Sequence, residues 1–238
     1  MRAWGMTHRG AVREQNQDSF RIVELGSALL CVVCDGMGGA LAGDVASDLA
    51  VEVFCENVSA AARSRDTAAV LRTAVLAANN AVFEKAYSDP AYYGMGTTLV
   101  AAFVTPRQTL VVNVGDSRAY QIDRNGINRI TNDHSLVEDL VRRGELTPDQ
   151  ARFHPKKNLI TRALGAEPLV DCDIFRPSLR QGDHLLLCSD GLINTLCSQE
   201  ILYETIHGGP EDDCCQRMID IALQRGAPDN VTAVLIRI

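Results

Sequence analysis

The stretches LLCVVCDG at residues 29–36 and LLLCSDG at residues 185–191 share one pattern. In each of them, an apolar run of strand length ends in Asp-Gly, at Asp35 in the first and at Asp190 in the second. Runs without polar residues at alternate positions are typical of strands covered on both faces. The sequence therefore predicts buried sheets, with a carboxylate at the end of two of their strands.

Helical and strand patterns follow one another at short intervals around these stretches. Apolar residues recur at helical spacing over 45–53 and 70–82, which predicts two helices, and a third helix is predicted over about 211–224. The predicted strands are apolar or β-branched runs bounded by turn residues, and they cover 19–25, 28–34, 97–104, 109–114, 118–122, 127–130, 170–175, 184–188 and 231–238. The four strands between 97 and 130 are expected to form one antiparallel meander. Together these elements predict an α+β layered sandwich.

No linker, repeat or charge block divides the 238 residues, so a single domain over residues 1–238 is expected. Residues 132–165 interrupt the regular pattern, because they are polar and contain only short helical runs. Helices are predicted at 136–143 and from Pro148, where Thr147 is a suitable cap. This segment is predicted to be an insertion.

The composition is that of an ordinary globular protein, with 46% hydrophobic and 22% charged residues. The net charge of −7 argues against nucleic acids and anionic membrane surfaces as partners, because binding to polyanions depends on clustered cationic side chains. No apolar run approaches the ~20 residues that a membrane-spanning helix needs, and no signal segment opens the chain. A cytoplasmic protein without a membrane partner is therefore expected.

The eight cysteines could form disulfides, bind metal or be buried thiols. Cys31 and Cys34 form a C-x-x-C pair, but their odd separation within a predicted strand sends the two side chains to opposite faces. The other cysteines have no zinc-ligand spacing. Buried structural thiols are the preferred interpretation, and any metal must be held without sulfur.

Five aspartates flank the ends of predicted strands: Asp18, Asp35, Asp116, Asp190 and Asp229. A carboxylate at the end of a buried strand is partly desolvated, which is unfavourable unless a cation or hydrogen-bond donors compensate its charge. Clustered oxygen ligands favour Mg²⁺ or Mn²⁺, and two such ions ~4 Å apart can hydrolyse phosphate esters. Taken singly, each acid is more typical of a turn, since Asp-Gly and Asp-Asn are common turn pairs. Together, the five favour a metal site.

Seven short motifs resemble, in order, those of the metal-dependent protein phosphatases (the type 2C or PPM family) in their compact bacterial form. They are REQNQD (13–18), DGMGG (35–39), MGTT (95–98), VGDSRAY (114–120), ITRALG (160–165), SDGL (189–192) and DNVT (229–232). One such motif would be weak support, but seven in the right order span essentially the whole chain. The resemblance implies a four-layer α+β sandwich, with two central antiparallel β-sheets flanked by α-helices on both sides.

The resemblance also implies a protein serine/threonine phosphatase, which hydrolyses phosphoserine and phosphothreonine through a hydroxide that bridges two ions of Mn²⁺ or Mg²⁺. By position, Asp35, Asp190 and Asp229 would hold one ion. Asp35 would bridge to the second ion, which the carbonyl of Gly36 would also bind. Asp18 would ligate this second ion directly or through water.

Two further residues take their roles from the resemblance. Asp116 matches the acid that, with Asp190, holds a third metal ion in bacterial members. Arg13 resembles the arginine that grips the substrate phosphate, and the planar guanidinium suits this paired contact. A solvated surface charge is the alternative for Arg13. Arg13 and the bridging Asp35 are expected to be the catalytic residues.

Two positions depart from the pattern of the family. Gln17 stands where many members have Glu, which removes one charge near the second metal ion. Ala40 stands where a His is common, a residue proposed to protonate the leaving alcohol, and the loss of a general acid slows a reaction by ~10²- to 10⁴-fold. His134 and His154 are candidates to replace it, although a structural or surface role is preferred for both. Ala40 also suggests the alternative function, a catalytically weak or silent phosphatase-like module that binds phosphoproteins or regulates a partner.

Residues 132–165 match the flap that the family carries beside its active site, and they are called the flap below. The flap holds six basic residues against five acidic ones in an otherwise acidic chain. Docking of a phosphorylated partner and a solvated helix face both explain this composition. The expected partners are phosphorylated proteins, substrates of a serine/threonine kinase, and the chain is expected to be a monomer.

Overall fold

Two antiparallel β-sheets form the centre of the computed structural model, which describes residues 1–38, 42–62 and 64–238. Their strands are β1 (Arg2–His8), β2 (Asp18–Leu25), β3 (Ala28–Met37), β4 (Gly96–Thr97), β5 (Leu99–Val104), β6 (Thr109–Val114), β7 (Arg118–Asp123), β8 (Gly126–Arg129), β9 (Asp173–Phe175), β10 (His184–Cys188) and β11 (Val231–Arg237). The β3 sheet has the order β2-β3-β5-β6-β9, with β4 paired to β3, and the β10 sheet has the order β1-β11-β10-β7-β8. The two apolar stretches that end in Asp-Gly thus lie inside different sheets.

The described residues form seven α-helices, and four of them cover the outer faces of the two sheets. The seven are α1 (Gly43–Ala60), α2 (Thr67–Ser88), α3 (Leu136–Arg142), α4 (Pro148–Arg152), α5 (Asp190–Ile193), α6 (Ser198–Ile206) and α7 (Cys214–Gln224). Apolar side chains of α1 and α2 pack on the β3 sheet, and those of α6 and α7 pack on the β10 sheet. A third apolar core fills the space between the two sheets. The predicted four-layer α+β sandwich is confirmed. No helix within the described residues has both the length and the apolar character that crossing a bilayer requires.

Strand β3 shows why these runs are apolar throughout. Its residues 29–34 are buried, and their side chains enter two different cores. Cys34 packs on the side of α1 and α2, whereas Cys31 packs between the two sheets, as the odd spacing predicts. Seven of the eight thiols are buried, but Cys197 is exposed. The prediction of a buried thiol is therefore wrong at Cys197, which caps the N-terminus of α6.

The prediction of one meander over 97–130 is wrong, because the chain changes sheet in its middle. Strand β6 pairs with β5 in the β3 sheet, whereas β7 pairs with β10 and β8 in the other sheet. The crossing occurs at 115–117, where Gly115 has a φ of +104°. Glycine adopts this conformation without the steric cost that other residues meet. Asp116 therefore lies at the point where the chain passes from one sheet to the other.

Other differences come from short or half-buried elements. The sequence patterns do not predict β1, a half-buried edge strand of mixed composition, or the helices α5 and α6. The strand predicted at 170–175 is limited to β9. The strand predicted at 97–104 is interrupted at Thr98, whose hydroxyl accepts a hydrogen bond of 3.0 Å from the backbone N–H of Asp35. This contact joins the break between β4 and β5 to Asp35, which lies with Gly36 near the end of β3.

The flap is inserted between β8 and β9 and is fixed at both ends. At its start the backbone N–H of His134 donates to the carbonyl of Gly115, and near its end Leu164 pairs with Thr97 of β4, while Ser135 pairs with Ile160 inside the flap. The flap contains the two predicted helices, and the side chain of Thr147 caps α4 as expected. These contacts join the flap to the edge of the sandwich where Asp35 and Asp190 lie.

Gly191 provides a test of the packing at this end of the sandwich. A Cβ atom at Gly191 would lie 1.9 Å from the carbonyl oxygen of Asn230, in the loop before β11. We expect Gly191→Ala to lower the free energy of unfolding in urea by about 3 kcal/mol, because the backbone must shift. The control is Gly182→Ala, at an open position with a φ of +90°, where strain alone should cost about 1 kcal/mol. A smaller loss at Gly191 than at Gly182 would contradict the close approach.

Candidate active site

A basin of about 760 Å³ opens at the end of the sandwich where the flap is attached. Six of the seven predicted site residues line it: Arg13, Asp35, Gly36, Asp116, Asp190 and Asp229. The seventh, Asp18, is buried beside it and is only 7% exposed. The flap contributes Asn158 and Ile160 to the wall. The structure therefore brings all the predicted site residues to one place.

The register of the sheets explains this convergence. Strand β2 pairs with β3 so that Asp18 lies directly opposite Asp35. In the other sheet, β10 and β11 are neighbours, and Asp190 follows the end of β10 while Asp229 precedes the start of β11. Asp116 occupies the crossing between the sheets. Residues far apart in sequence thus meet at one edge of both sheets.

Asp18 is the most enclosed of these acids. Its Oδ2 accepts hydrogen bonds from Ser189 Oγ at 2.7 Å and from Thr232 Oγ1 at 2.6 Å. Its Oδ1 is buried without a hydrogen-bond partner among the described residues. Burial raises the pKa of Asp18 to about 7, although the two hydroxyl donors counteract the shift. A buried carboxylate oxygen without a donor is a site where a cation would be favourable.

The neighbouring acids are perturbed in the same direction. Burial raises the pKa of Asp116 to about 7 and that of Asp190 to about 6, and nearby carboxylates add to both shifts. The pKa of Asp35 is raised well above its ordinary value by burial and then by the charges of Asp18, Asp190, Asp116 and Asp229. Clustered acids with raised pKa values are typical of functional sites. The charged forms of these acids are therefore unfavourable in the protein by itself, because its own donors and cations do not compensate them fully.

Arg13 brings a positive charge to the basin. Its Nη2 lies 2.8 Å from Oδ2 of Asp229, and both side chains are partly exposed. The side chain of Asn230 positions the loop that carries Arg13, because its Nδ2 donates to the carbonyl of Gln15 at 2.8 Å and its Oδ1 accepts from the N–H of Gln17 at 2.8 Å. Arg13 thus lines the basin beside Asp229, while about half of its side chain (53%) is exposed to solvent.

Several supporting residues were not identified from the sequence. Asn230, Ser189 and Thr232 belong to the quoted motifs, but their roles become visible only when distant segments are brought together. Thr98 is a further example, since its hydroxyl lies 2.7 Å from Ser117 Oγ and joins the backbone of Asp35 to the crossing between the sheets. The signal available in the sequence is that Ser, Thr and Asn stand next to the aspartates in the quoted motifs.

The oxygen ligands around the basin suit a divalent cation, although their side chains are not arranged in a complete coordination geometry. Within the described residues, no three His, Cys, Asp or Glu side chains meet the geometry for holding one metal ion. Asp18 and Asp229 are hydrogen-bonded to other side chains. The fit rests on a set of oxygen donors, their excess negative charge and the partnerless Oδ1 of Asp18.

The candidates for a general acid do not reach the basin. Ala40 lies outside the described residues, so its predicted effect on proton delivery stays a prediction. His134 is buried, and its Nδ1 accepts a hydrogen bond of 3.1 Å from the N–H of Gly115. Nδ1 of His154 accepts a hydrogen bond of 3.1 Å from the N–H of Lys156 within the flap. Among the described residues that line the basin there is no His, which agrees with the structural or surface role preferred for both.

Comparison with known proteins places this arrangement in a family. The family Protein phosphatase 2C matches residues 5–208. The serine/threonine phosphatase stp of Listeria welshimeri is 37% identical over 99% of this chain and 95% of its own length. The solved serine/threonine phosphatase of S. agalactiae superposes with a TM-score of 0.94 at 32% identity, covering 100% of this chain and 99% of that one. The chain therefore belongs to the protein phosphatase 2C family.

A further solved structure is informative about the site. The catalytic domain of the serine/threonine protein phosphatase PstP, in complex with two manganese ions, superposes with a TM-score of 0.85 at 34% identity, over 98% of this chain and 96% of that one. The family, the fold and the enzyme class predicted from the seven motifs are confirmed. The chain is a serine/threonine protein phosphatase.

The raised pKa values predict how the stability of the metal-stripped protein depends on pH. Asp18 and Asp116 bind protons in the folded state up to pH values of about 7, whereas Asp in an unfolded chain releases them near 3.8. The folded state binds more protons in this window, so its stability falls as the pH rises. We expect the melting temperature in chelator to be lower at about pH 8 than at about pH 5, by about 5 °C or more.

The control for this measurement is Asp190→Asn, which removes one of the repelling charges. The fall in melting temperature between the two pH values should be smaller in this variant than in the wild type. Saturating Mn²⁺ should raise the melting temperature of the wild type at the higher pH. A chelator-treated wild type that melts at a higher temperature at about pH 8 than at about pH 5 would contradict the crowding of buried carboxylates.

Proposed function

We propose that this chain hydrolyses phosphoserine and phosphothreonine in proteins at the acidic basin, with two divalent cations, Mn²⁺ or Mg²⁺. The observation that carries the proposal is the convergence of five acids at one edge of both sheets, where burial and mutual repulsion raise the pKa of four of them, Asp18, Asp35, Asp116 and Asp190. A ligand of high positive charge would stabilise such a cluster of carboxylates most strongly. The family relationship supports the same reaction.

The residues proposed to hold the cations are those that the family resemblance implies, and their places in or beside the basin support the assignment. Asp35, Asp190 and Asp229 are proposed to bind one ion, and Asp35 with the carbonyl of Gly36 the second. Asp18, directly or through water, would complete the second site, since its Oδ1 has no hydrogen-bond donor among the described residues. When bound, the cations neutralise phosphoryl charge and lower the pKa of the attacking water.

Asp116 and Asp190 are the pair proposed to hold a third cation. Both line the basin, and the charge of Asp190 adds to the effect of burial in raising the pKa of Asp116. Relief of this repulsion is the physical reason for a cation between them.

Arg13 is proposed to bind the phosphoryl oxygens of the substrate. Its guanidinium is in the basin and can offer a planar pair of N–H donors. No Cys is among the described residues that line the basin, and burial raises the pKa of the thiols nearest to it, Cys34 and Cys188. These observations argue against a reaction through a phosphocysteine. They favour direct attack of water on the phosphorus atom.

The proposed partners are phosphorylated proteins, substrates of a serine/threonine kinase, and the proposed form is a cytoplasmic monomer of one domain. The alternative of a silent phosphatase-like module gains no support from the site. A domain without catalysis has no reason to keep acids whose charged forms are unfavourable where they lie.

Asp190→Asn tests the proposed reaction together with removal of the metal. We expect chelator to abolish release of phosphate from a phosphothreonine peptide and Mn²⁺ to restore it. Asp190→Asn should lower kcat/KM by about 10³-fold or more, because the cation that activates the attacking water is weakened. Asp48→Asn, on the exposed face of α1, is the matched control and should retain full activity. Full activity of the wild type in chelator would contradict the proposal.

Arg13→Ala should strengthen the binding of Mn²⁺ and weaken the reaction with a phosphopeptide. Calorimetry measures the first effect, and kinetics measure the second. Calorimetry should show Mn²⁺ binding about 1.4- to fivefold more tightly, because Asp229 loses a competing ion pair worth ~0.2 to 1 kcal/mol. The value of kcat/KM for a phosphopeptide should fall by about 10- to 150-fold, mainly through KM, which is the range for a hydrogen bond to a charged group.

Two variants control this experiment. Arg13→Lys should recover only part of the lost kcat/KM, because a point charge cannot make the paired contact. Arg124→Ala removes an exposed charge in the turn between β7 and β8 and should change neither quantity. An Arg13→Ala variant with the kcat/KM of the wild type would show that Arg13 is a surface charge.

A further inference from the structure

A second hollow lies beside the basin, next to the C-terminal end of α2 and the end of the flap. Its volume is about 270 Å³, and Met37 lines both this hollow and the basin. We call Tyr87 and Tyr93 its wall, and the glycines, the alanines and Met95 that complete the lining its floor. We call it the aromatic hollow. No Asp, Glu, Lys, Arg or His side chain is among the described residues that line it.

The two aromatic rings of the wall are exposed and yet held in place. Tyr87 is 62% exposed and Tyr93 is 73% exposed. Their rings contact edge to face, with centroids 5.9 Å apart, and Phe83 supports Tyr87 with a centroid distance of 4.6 Å. Large apolar side chains that stay exposed beside a functional site are typical of recognition surfaces. Because the rings support one another, little ordering is needed when a ligand binds.

The floor leaves space for a side chain. It consists of Ala86 of α2 and of residues from two segments, and six of its seven residues are small: Ala86, Gly94, Met95, Gly96, Ala163, Gly165 and Ala166. Ala166 is exposed at its edge. The chemistry of the hollow is thus the opposite of that of the basin, since one is acidic and the other is uncharged and partly aromatic. An apolar side chain suits the hollow, and a phosphate does not.

The basin and the hollow are close enough for one peptide to occupy both. Met37 lies two residues beyond Asp35 on strand β3, which corresponds to ~6.6 Å at ~3.3 Å per residue. A peptide that leaves the basin in an extended form reaches the hollow after two or three residues. Met37 lines both the basin and the hollow, so one direction in which a substrate chain can leave the basin passes directly over the hollow.

We propose that the aromatic hollow is a specificity site, which binds an apolar side chain two or three positions from the phosphoresidue of a protein substrate. This inference rests on the proposed function, because it assigns a neighbouring contact to the same substrate. The site selects among phosphoproteins by sequence and takes no part in the chemistry at phosphorus.

Phosphothreonine peptides that differ at one position test the inference. In each peptide, either Leu or Ser stands two or three residues before or after the phosphothreonine, and the other positions are small and polar. We expect kcat/KM for the wild type to be about tenfold higher with Leu at one or more of these positions, since partial burial of Leu is worth about 1.5 kcal/mol. An aryl phosphate without a peptide serves as the reference substrate.

Two variants of exposed residues connect this preference to the hollow. Tyr93→Ala removes part of the wall, and Ala166→Trp fills the floor. Both should reduce the Leu-to-Ser ratio of kcat/KM to about two or less and leave the aryl phosphate reaction unchanged. Tyr203→Ala removes an exposed aromatic ring on α6, across the sandwich, and should keep the ratio of the wild type.

The outcomes separate this inference from the proposed function. If the wild type hydrolyses every peptide with equal kcat/KM, or if its preference for Leu survives both variants, the inference is wrong and the proposed function stands. If the variants reduce the aryl phosphate reaction in the same proportion, the hollow has a structural role and the inference is again wrong. Self-association that depends on Tyr93, with an unchanged Leu-to-Ser ratio, would assign the hollow to a second copy of the chain. Absence of hydrolysis of all peptides and of the aryl phosphate would contradict the proposed function itself.

Discussion

Negatively charged carboxylates repel one another, and burial makes the charged form of each still less favourable. Asp35 experiences this constraint most strongly, because it faces Asp18 across the β2–β3 ladder and lies near the acids of the other sheet. A cluster of this kind is stable at neutral pH only with protons or cations beside it. The cation requirement and the catalytic chemistry therefore have one physical origin, the crowding of acids at the edge of two sheets.

The rest of the fold tolerates that crowding because the interior of each strand provides stability and its end carries the acids. The interiors of β3 and β10 are apolar, and they pack into three cores that supply the stability of the sandwich. The ends of the strands carry the acids. Polar residues next to them restrain the loops, as Asn230 does for the loop of Arg13 and as Ser189 does for the carboxylate of Asp18. Stability is thus provided away from the residues that function requires.

The elements that could be predicted from sequence are those with a strong local pattern. The apolar runs of β3 and β10 predicted buried strands, and the motifs that follow them predicted the family. The change of sheet at Gly115 could not be predicted, because a local pattern shows that strands exist but not which sheet they join. The aromatic hollow was also missed, since its wall and floor come from segments whose proximity depends on the tertiary fold. The metal ligands themselves stay predictions, supported by charge and placement.

Anomalous diffraction from a crystal grown with Mn²⁺ would test the central claim most directly, because it locates the ion and its ligands together. The account predicts one Mn²⁺ within about 2.3 Å of carboxylate oxygens of Asp35, Asp190 and Asp229, and a second bound by Asp35 and the carbonyl of Gly36. Mn²⁺ bound elsewhere on a chain that is active with this metal, with no ion in the basin, would contradict it.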